Sequence, residues 1–451
     1  MYTPARRWLA GALLGAVFLL LAGAAPLRAI PSFARQTKLP CSACHTQFPE
    51  LNAFGRVFKL NGFTLRMIEA IEANNQSGRQ DLAINLMPLP AVMFQASETY
   101  TGKPQPGTTN GNVLLPDQLS VFLAGAITPK LGAFIQVTYD PAAGGIGLDN
   151  TSVRYATPIT LAGQPGVFGL TLNNNPTMQD VWNSTPAWGF PYVGSAVAPV
   201  PAAATLIDGT LAQDVAGLTG YLFWNDALYA EFGGYRWAPQ GASQLPDTTE
   251  VGVVEGVAPY WRVALTHSFG DSYVEVGTYG IAARVQPTPY VYGGRTDRYT
   301  DVAFDAELQR PMGSNNFTLA GTWIHETRSL RASADTTVGL ASVSKQSVNT
   351  FRARATYMVG QAYAFTVSPF VTTGTSDPVL YPADPVGGSR TGSPNSSGVI
   401  AQVDWNPWMN TRLSLQYTAY TKFNGAGSNY DGSGRNASAN NTLYLQAWLM
   451  F

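Results

Sequence analysis

The chain has 451 residues, of which only 12% are charged and 12% aromatic, with 45 glycines and a formal net charge of −1. The charged share is roughly half of the about 25% usual in globular domains, and no basic patch or charge run appears, which excludes nucleic acid as a partner. Low charge with many aromatics and glycines is instead expected of a barrel that shows one face to lipid.

At the N-terminus, Arg6 and Arg7 precede an apolar run from Leu9 to Ala25. That order of charge and apolarity reads as an export signal, residues 1–29, removed after Ala29. Leu27 is large for its place in the cleavage site, so a cut after Ala24 stays open. An uncleaved anchor fits less well, because the run is near the short end for a spanning helix and contains Gly11, Gly15 and Gly23.

Residues 30–90 form a second unit, built around Cys41-Ser42-Ala43-Cys44-His45. The spacing C-x-x-C-H is that of c-type haem attachment. Two thiols three positions apart each form a thioether to one vinyl group of a porphyrin, and the adjacent imidazole reaches the iron as proximal ligand. A structural zinc site needs about four protein ligands and a catalytic one about three, whereas the chain holds two Cys and three His in all. A thioredoxin-like motif would lie in a βαβ pattern, which is missing. The expectation is one covalent haem c held by Cys41, Cys44 and His45.

The flanks are distinctive: Phe33-Ala34-Arg35-Gln36-Thr37 leads in, and Phe48-Pro49-Glu50-Leu51-Asn52-Ala53-Phe54-Gly55 leads out. Over about residues 30–65 the chain resembles the outer-membrane fused monohaem cytochrome c–porin family of iron-oxidising bacteria. One position departs: Lys38 stands where that family is expected to carry Gly. The resemblance implies electron transfer at the outer membrane of a Gram-negative bacterium. Extracellular ferrous iron would be oxidised at the haem and the electron passed to a periplasmic c-type cytochrome, a ferrous iron:cytochrome c oxidoreductase role.

Past the haem motif, Pro49 to Asn61 reads as a short helix, with Pro at its first turn and Gly62 just beyond its end. Leu51, Phe54, Val57 and Phe58 recur at helical spacing and are expected to pack on the porphyrin. Leu65 to Ala73 adds a second helical turn or two. Arg35, Arg56 and Lys59 are candidate partners for the haem propionates, since a buried carboxylate needs a charged partner.

From Ala91 the hydrophobic period becomes two, and residues 91–451 read as a barrel of about sixteen antiparallel strands. The strands are expected near 91–100, 118–127, 132–139, 150–157, 166–172, 217–224, 228–235 and 258–267. They continue near 272–281, 298–309, 316–326, 348–358, 362–373, 398–406, 411–422 and 441–451. Most approach the about nine to eleven residues that a tilted membrane strand needs. Connections alternate between short ones, such as Asn225-Asp226-Ala227, and long ones, such as 173–216, 236–257, 327–347 and 374–397. Bacterial barrels have short periplasmic turns and longer outer loops. With an even strand count both chain ends lie at the periplasmic rim, and the haem segment plugs the lumen from there. In the last strand Leu443, Leu445, Ala447, Leu449 and Phe451 suit lipid, while Tyr444, Gln446, Trp448 and Met450 suit a lumen. A propeller would show a repeat of roughly 40–50 residues, and none is visible.

His267 and His325 fall on the lipid face at opposite ends, which makes them rim histidines rather than iron ligands. Met93, on the lumenal face of the first strand with Gln95, Ser97 and Thr99, is the expected distal ligand; Met87 and an open five-coordinate iron are the alternatives, and Met67 is also near in sequence. Loop acids such as Asp140, Asp149, Asp208 and Asp297 are scattered and suggest no dedicated iron site. Three other functional readings remain: a conduit for a different extracellular donor, a haem-bearing diffusion porin, and a haem sensor or peroxide-handling protein with an open iron.

Overall fold

The computed structural model describes residues 32–65, 90–141, 144–185, 193–238, 252–287 and 294–451. The export signal, Met67 and Met87 lie outside the described residues, as does Leu65–Ala73 beyond Leu65 itself. Two short helices precede the barrel, α1 (Ser32–Thr37) and α2 (Ala53–Leu60), with a 3-10 turn at Cys41–Ala43 between them.

The strands are β1 (Pro90–Thr101), β2 (Asn112–Thr128), β3 (Leu131–Asp140), β4 (Gly145–Leu161), β5 (Gln164–Asn173) and β6 (Val215–Trp224). They continue with β7 (Leu228–Trp237), the two-residue β8 (Val253–Val254), β9 (Ala258–Phe269), β10 (Ser272–Gln286), β11 (Asp297–Met312) and β12 (Asn315–Ser329). The series ends with β13 (Lys345–Val359), β14 (Tyr363–Gly374), β15 (Ser396–Trp408), β16 (Thr411–Lys422) and β17 (Thr442–Met450). Setting aside β8, the sixteen long strands overlap the sixteen anticipated segments one for one, several running longer, as β2 and β4 do. Each pairs antiparallel with its neighbours, and β1 pairs with both β2 and β17, so the sheet closes.

Closure leaves no sheet edge, the condition for β-structure in a bilayer. The side chains are distributed inside out relative to a soluble protein. Large apolar residues point outward and stay exposed, among them Leu172, Phe232, Leu265, Phe304 and Val367. Polar ones point inward and are buried, among them Gln136, Arg154, Glu231, Arg262 and Glu326. The period-two alternation that puts successive side chains on opposite faces therefore delivers lipid contacts outside and a polar lumen inside. The protein is an outer-membrane β-barrel.

Connections at one end are tight, as between β2 and β3, β4 and β5, β11 and β12, and β13 and β14, while those at the other end, apart from β3 to β4, are longer. The helical segment enters at the short-turn end. Several strands bind it at once: Gln36 donates to the Ala124 carbonyl at 2.7 Å, Gln47 to Asp404 at 2.6 Å, and Arg354 pairs with Glu50 at 3.0 Å. Arg56, buried, pairs with Glu307. These contacts place residues 32–65 inside the barrel mouth.

The helix begins later than the sequence suggests. Its first helical residue is Ala53 and not Pro49, and Asn52 is the N-cap, accepting from the Gly55 amide through its side chain. Residues before it instead form a bridge between His45 and Leu51. Gly62, in the left-handed region at φ 71°, ends the helix as expected.

Candidate haem site in the barrel mouth

The local fold of the Cys-rich turn follows from its backbone. Ala43 donates to the Pro40 carbonyl, while Cys44 and His45 both donate to that of Cys41, all within 3.1 Å. This tight turn gathers the two thiols and the imidazole on one side. Asn52 then fastens it: its side-chain amide donates to the Ala43 carbonyl at 3.0 Å and its backbone amide to that of Cys44 at 2.9 Å. Gly55 lets helix α2 lie directly on the turn, since a Cβ there would fall 2.1 Å from the Cys44 carbonyl oxygen.

Cys41, Cys44 and His45 all line one cavity of about 490 Å³, within the about 300–1,000 Å³ of small-molecule and cofactor sites. Its walls are mainly aromatic on one side: Phe33, Phe58 and Phe63 from the helical segment, Phe122 and Phe134 from the barrel. Phe33 stacks on Phe63 at 5.3 Å and meets Phe58 edge-on at 5.2 Å. The turns Gly313–Asn316, Gly360–Gln361 and Met409–Asn410 form the opposite rim. The cavity thus sits at the short-turn mouth, where part of the long β5–β6 connection also reaches it.

Both thiols are free. Burial raises the pKa of each, that of Cys44 to about 11 with a further contribution from Cys41. Burial lowers His45 to about 4, against hydrogen bonding to the Pro49 and Glu50 backbone. The imidazole is neutral at neutral pH, the form in which it ligates a metal. Its Nδ1 lies 3.2 Å from the Pro49 carbonyl; as a donor there it leaves Nε2 for the metal, the usual arrangement behind a ligating histidine. The donor set and its enclosure therefore fit a c-type haem.

The cationic candidates separate. Lys59 lines the cavity, its ammonium donating to the Asp180 carbonyl at 2.8 Å. Burial, and then the nearby Arg154 guanidinium, lower it to about 7, against Asp180 and Glu231. Arg56 is committed to Glu307 and the Val181 carbonyl, and Arg35 to the Pro90 carbonyl. Arg412, which sequence reasoning missed, borders the cavity; it pairs with Asp404 at 2.8 Å and also donates to the Phe48 carbonyl at 2.7 Å. Nothing in the sequence ties residue 412 to residue 48; only barrel closure does.

Met93 faces the lumen and is buried, as its alternation implies, but it does not line the cavity. Its sulfur instead lies 3.5 Å from the Gln95 side-chain amide, which donates to it. Ala91, Phe122 and Trp448, with which it clusters, all reach the cavity wall. Among the described residues, the methionines that do line the cavity are Met178, Met358, Met409 and Met450; Met450 is the cross-strand partner of Met93. His267 is exposed at the turn end and His325 sits beside Trp323 near the loops, away from the cavity. Asp297, read as a solvated loop acid, is buried and accepts from Ala332 and Ser333.

The long β5–β6 connection folds inward over the helical segment. Met178, Asp180 and Asn183 from it line the cavity, and Val181 and Trp182 pack with Leu60. Its inward course was not legible, because polar loop composition is the same for a loop in water and one in a polar lumen.

No family model and no curated protein matches this chain. Among solved structures, it is similar to the loop L8 deletion mutant of OmpT, an outer membrane protein of Vibrio cholerae, at 11% identity, covering 80% of this chain and 98% of that one, TM-score 0.44. It is also similar to the anion-selective porin from Comamonas acidovorans at 12% identity, covering 80% and 99%, TM-score 0.45. The outer membrane channel DcaP of Acinetobacter baumannii is a third, at 9% identity, covering 80% and 96%, TM-score 0.47. The architecture rests on the chain's own strand register and its inside-out burial.

Proposed function

We propose that this protein is an outer-membrane electron-transfer protein. In this reading it holds one haem c at Cys41, Cys44 and His45, and moves electrons from extracellular ferrous iron to a periplasmic c-type cytochrome. The observation that supports it most is the convergence of both thiols and the imidazole on one cavity at the short-turn mouth. When bound, the haem supplies a one-electron carrier. The chain's own residues do the rest. Cys41 and Cys44 tether the group, and the Pro49 carbonyl orients the His45 ring. Lys59 offsets anionic groups at the cavity edge, while Phe33, Phe58, Phe63 and Phe134 keep water out. Short turns face the periplasm, so the cavity rim is where a soluble carrier would approach.

A haem-bearing diffusion porin is the second reading, favoured by the barrel itself. Current through single proteins in a planar bilayer separates the two, since a plugged lumen passes little. The cofactor assignment has its own test. Protein purified from outer membranes carries pigment that survives denaturing electrophoresis, and Cys41→Ala with Cys44→Ala removes it. Pigment retained without either thiol would show that no thioether holds it.

A further inference from the structure

The cavity lies at one end of the barrel and, apart from the inward-folded β5–β6 connection, the long loops lie at the other, so the distance between them poses a problem for electron flow. Along β10, Tyr273 near the turns and Ala283 near the loops are ten residues apart, and Ala283 pairs with Tyr299 of β11. At ~3.3 Å per residue and a tilt of ~40°, that is about 25 Å along the barrel axis. Tunnelling decays exponentially with distance, so one step across this gap is slow, whereas several short steps through conjugated groups are fast.

The described lumen contains such a series along one wall. Phe63, on the cavity, lies 5.9 Å from the Arg154 guanidinium, which lies 5.8 Å from the Tyr221 ring. Tyr221 stacks on Tyr229 at 5.9 Å, and Tyr229 meets Trp182 edge-on at 5.0 Å. Arg262 then bridges Trp182 at 4.7 Å and Tyr279 at 5.0 Å. Tyr279 belongs to a buried cluster with Tyr235 and Tyr260, against which Tyr299 packs. From Tyr299 the Arg328 guanidinium, 5.8 Å away, donates to the Tyr381 hydroxyl at 3.0 Å in the outer loop after β14. Ordinary lumen filling requires bulk, but it does not require aromatic and guanidinium planes in close succession on either side of one packed tyrosine cluster.

We propose that this aromatic series, with Trp182 at its centre, is the electron path between the outer loops and the cavity; the idea rests on the functional reading above. A one-electron donor at the loops, a hydrated metal ion in its lower oxidation state, loses one electron, and the acceptor in the cavity gains one. No bond forms or breaks overall, and every ring returns to its starting state. A tyrosine that passes through a neutral radical lends its phenolic proton and takes it back; Tyr229, which donates to Glu231 at 2.7 Å, has such a base in place.

The test uses the full-length, pigmented protein in nanodiscs, with a ruthenium photosensitiser on a cysteine introduced by Val379→Cys, an exposed site two residues from Tyr381. Flash-quench oxidation of the label draws an electron from the reduced cavity group. Trp182→Leu and Tyr279→Leu are expected to slow that transfer by at least an order of magnitude. Reduction by a soluble donor added at the turn side stays unchanged. Unchanged label-driven rates in both variants would overturn the path, and so would equal slowing from both sides, which marks a packing defect. A second readout needs no pigment: frozen samples show a tryptophanyl radical by electron paramagnetic resonance, lost in Trp182→Phe. If no radical loss accompanies that substitution, Trp182 is not on the path. Absence of covalent pigment would instead count against the haem assignment alone.

Discussion

At Gly55, one missing Cβ lets helix α2 rest on the Cys44 carbonyl. Gly55→Ala sets the new methyl 2.1 Å from the Cys44 carbonyl oxygen, a backbone atom that cannot rotate away. The expected result is a barrel that still assembles, judged by its gel mobility before heating, but with covalent pigment cut to a small fraction. Full pigmentation would mean the helix need not dock on the turn. Met93 illustrates what alternation does and does not tell. Period two assigns its face, yet cannot say which lumenal side chains stand in front of it. Met93→Ala is expected to cost about 2–5 kcal/mol of stability as a buried truncation and to leave the visible spectrum of the pigmented protein as it was. A changed ligand-field spectrum would identify Met93 as the distal ligand. Lys38 also gains a meaning: at φ 58° it holds the left-handed conformation that favours glycine, which accounts for the Gly expected there in the resembling family.

Strands, being repetitive, were legible from the sequence alone. Each carries its own alternation, and the lipid face needs no partner to declare itself. The β5–β6 connection did not, because its structure is made by distant groups. Arg262 of β9 is the clearest of these, buried among Asp180 of that connection at 3.7 Å, Glu275 of β10 at 3.4 Å and Asp305 of β11 at 2.5 Å. Three consecutive strands meet a connection some eighty residues earlier in the chain there, and no local pattern announces it. Arg262→Leu strips the carboxylates of their shared cation, a change that costs about 3–5 kcal/mol in a buried network. Urea unfolding in detergent micelles is expected to show that loss, with higher ion conductance as the connection loosens. Stability within error of the parent would mean that the carboxylates do not depend on Arg262.

For the whole molecule, the sequence led directly to a barrel with a haem-type motif at its N-terminal mouth. The internal layout was hidden, because both chain ends at one rim say nothing of how far the segment enters. Arg412 beside Phe48 and Met450 beside the cavity became visible only once β1 and β17 closed the sheet. The layout puts the candidate electron site near the periplasm and a filled lumen between it and the outside. The most direct measurement is stopped-flow absorbance on proteoliposomes with one barrel orientation and ferrous iron confined to the loop side. The account predicts reduction of the haem spectrum without iron appearing in the vesicle interior, followed by reoxidation when a soluble c-type cytochrome is enclosed. No reduction from the loop side at acidic or neutral pH, in protein that a turn-side reductant reduces at once, would contradict it.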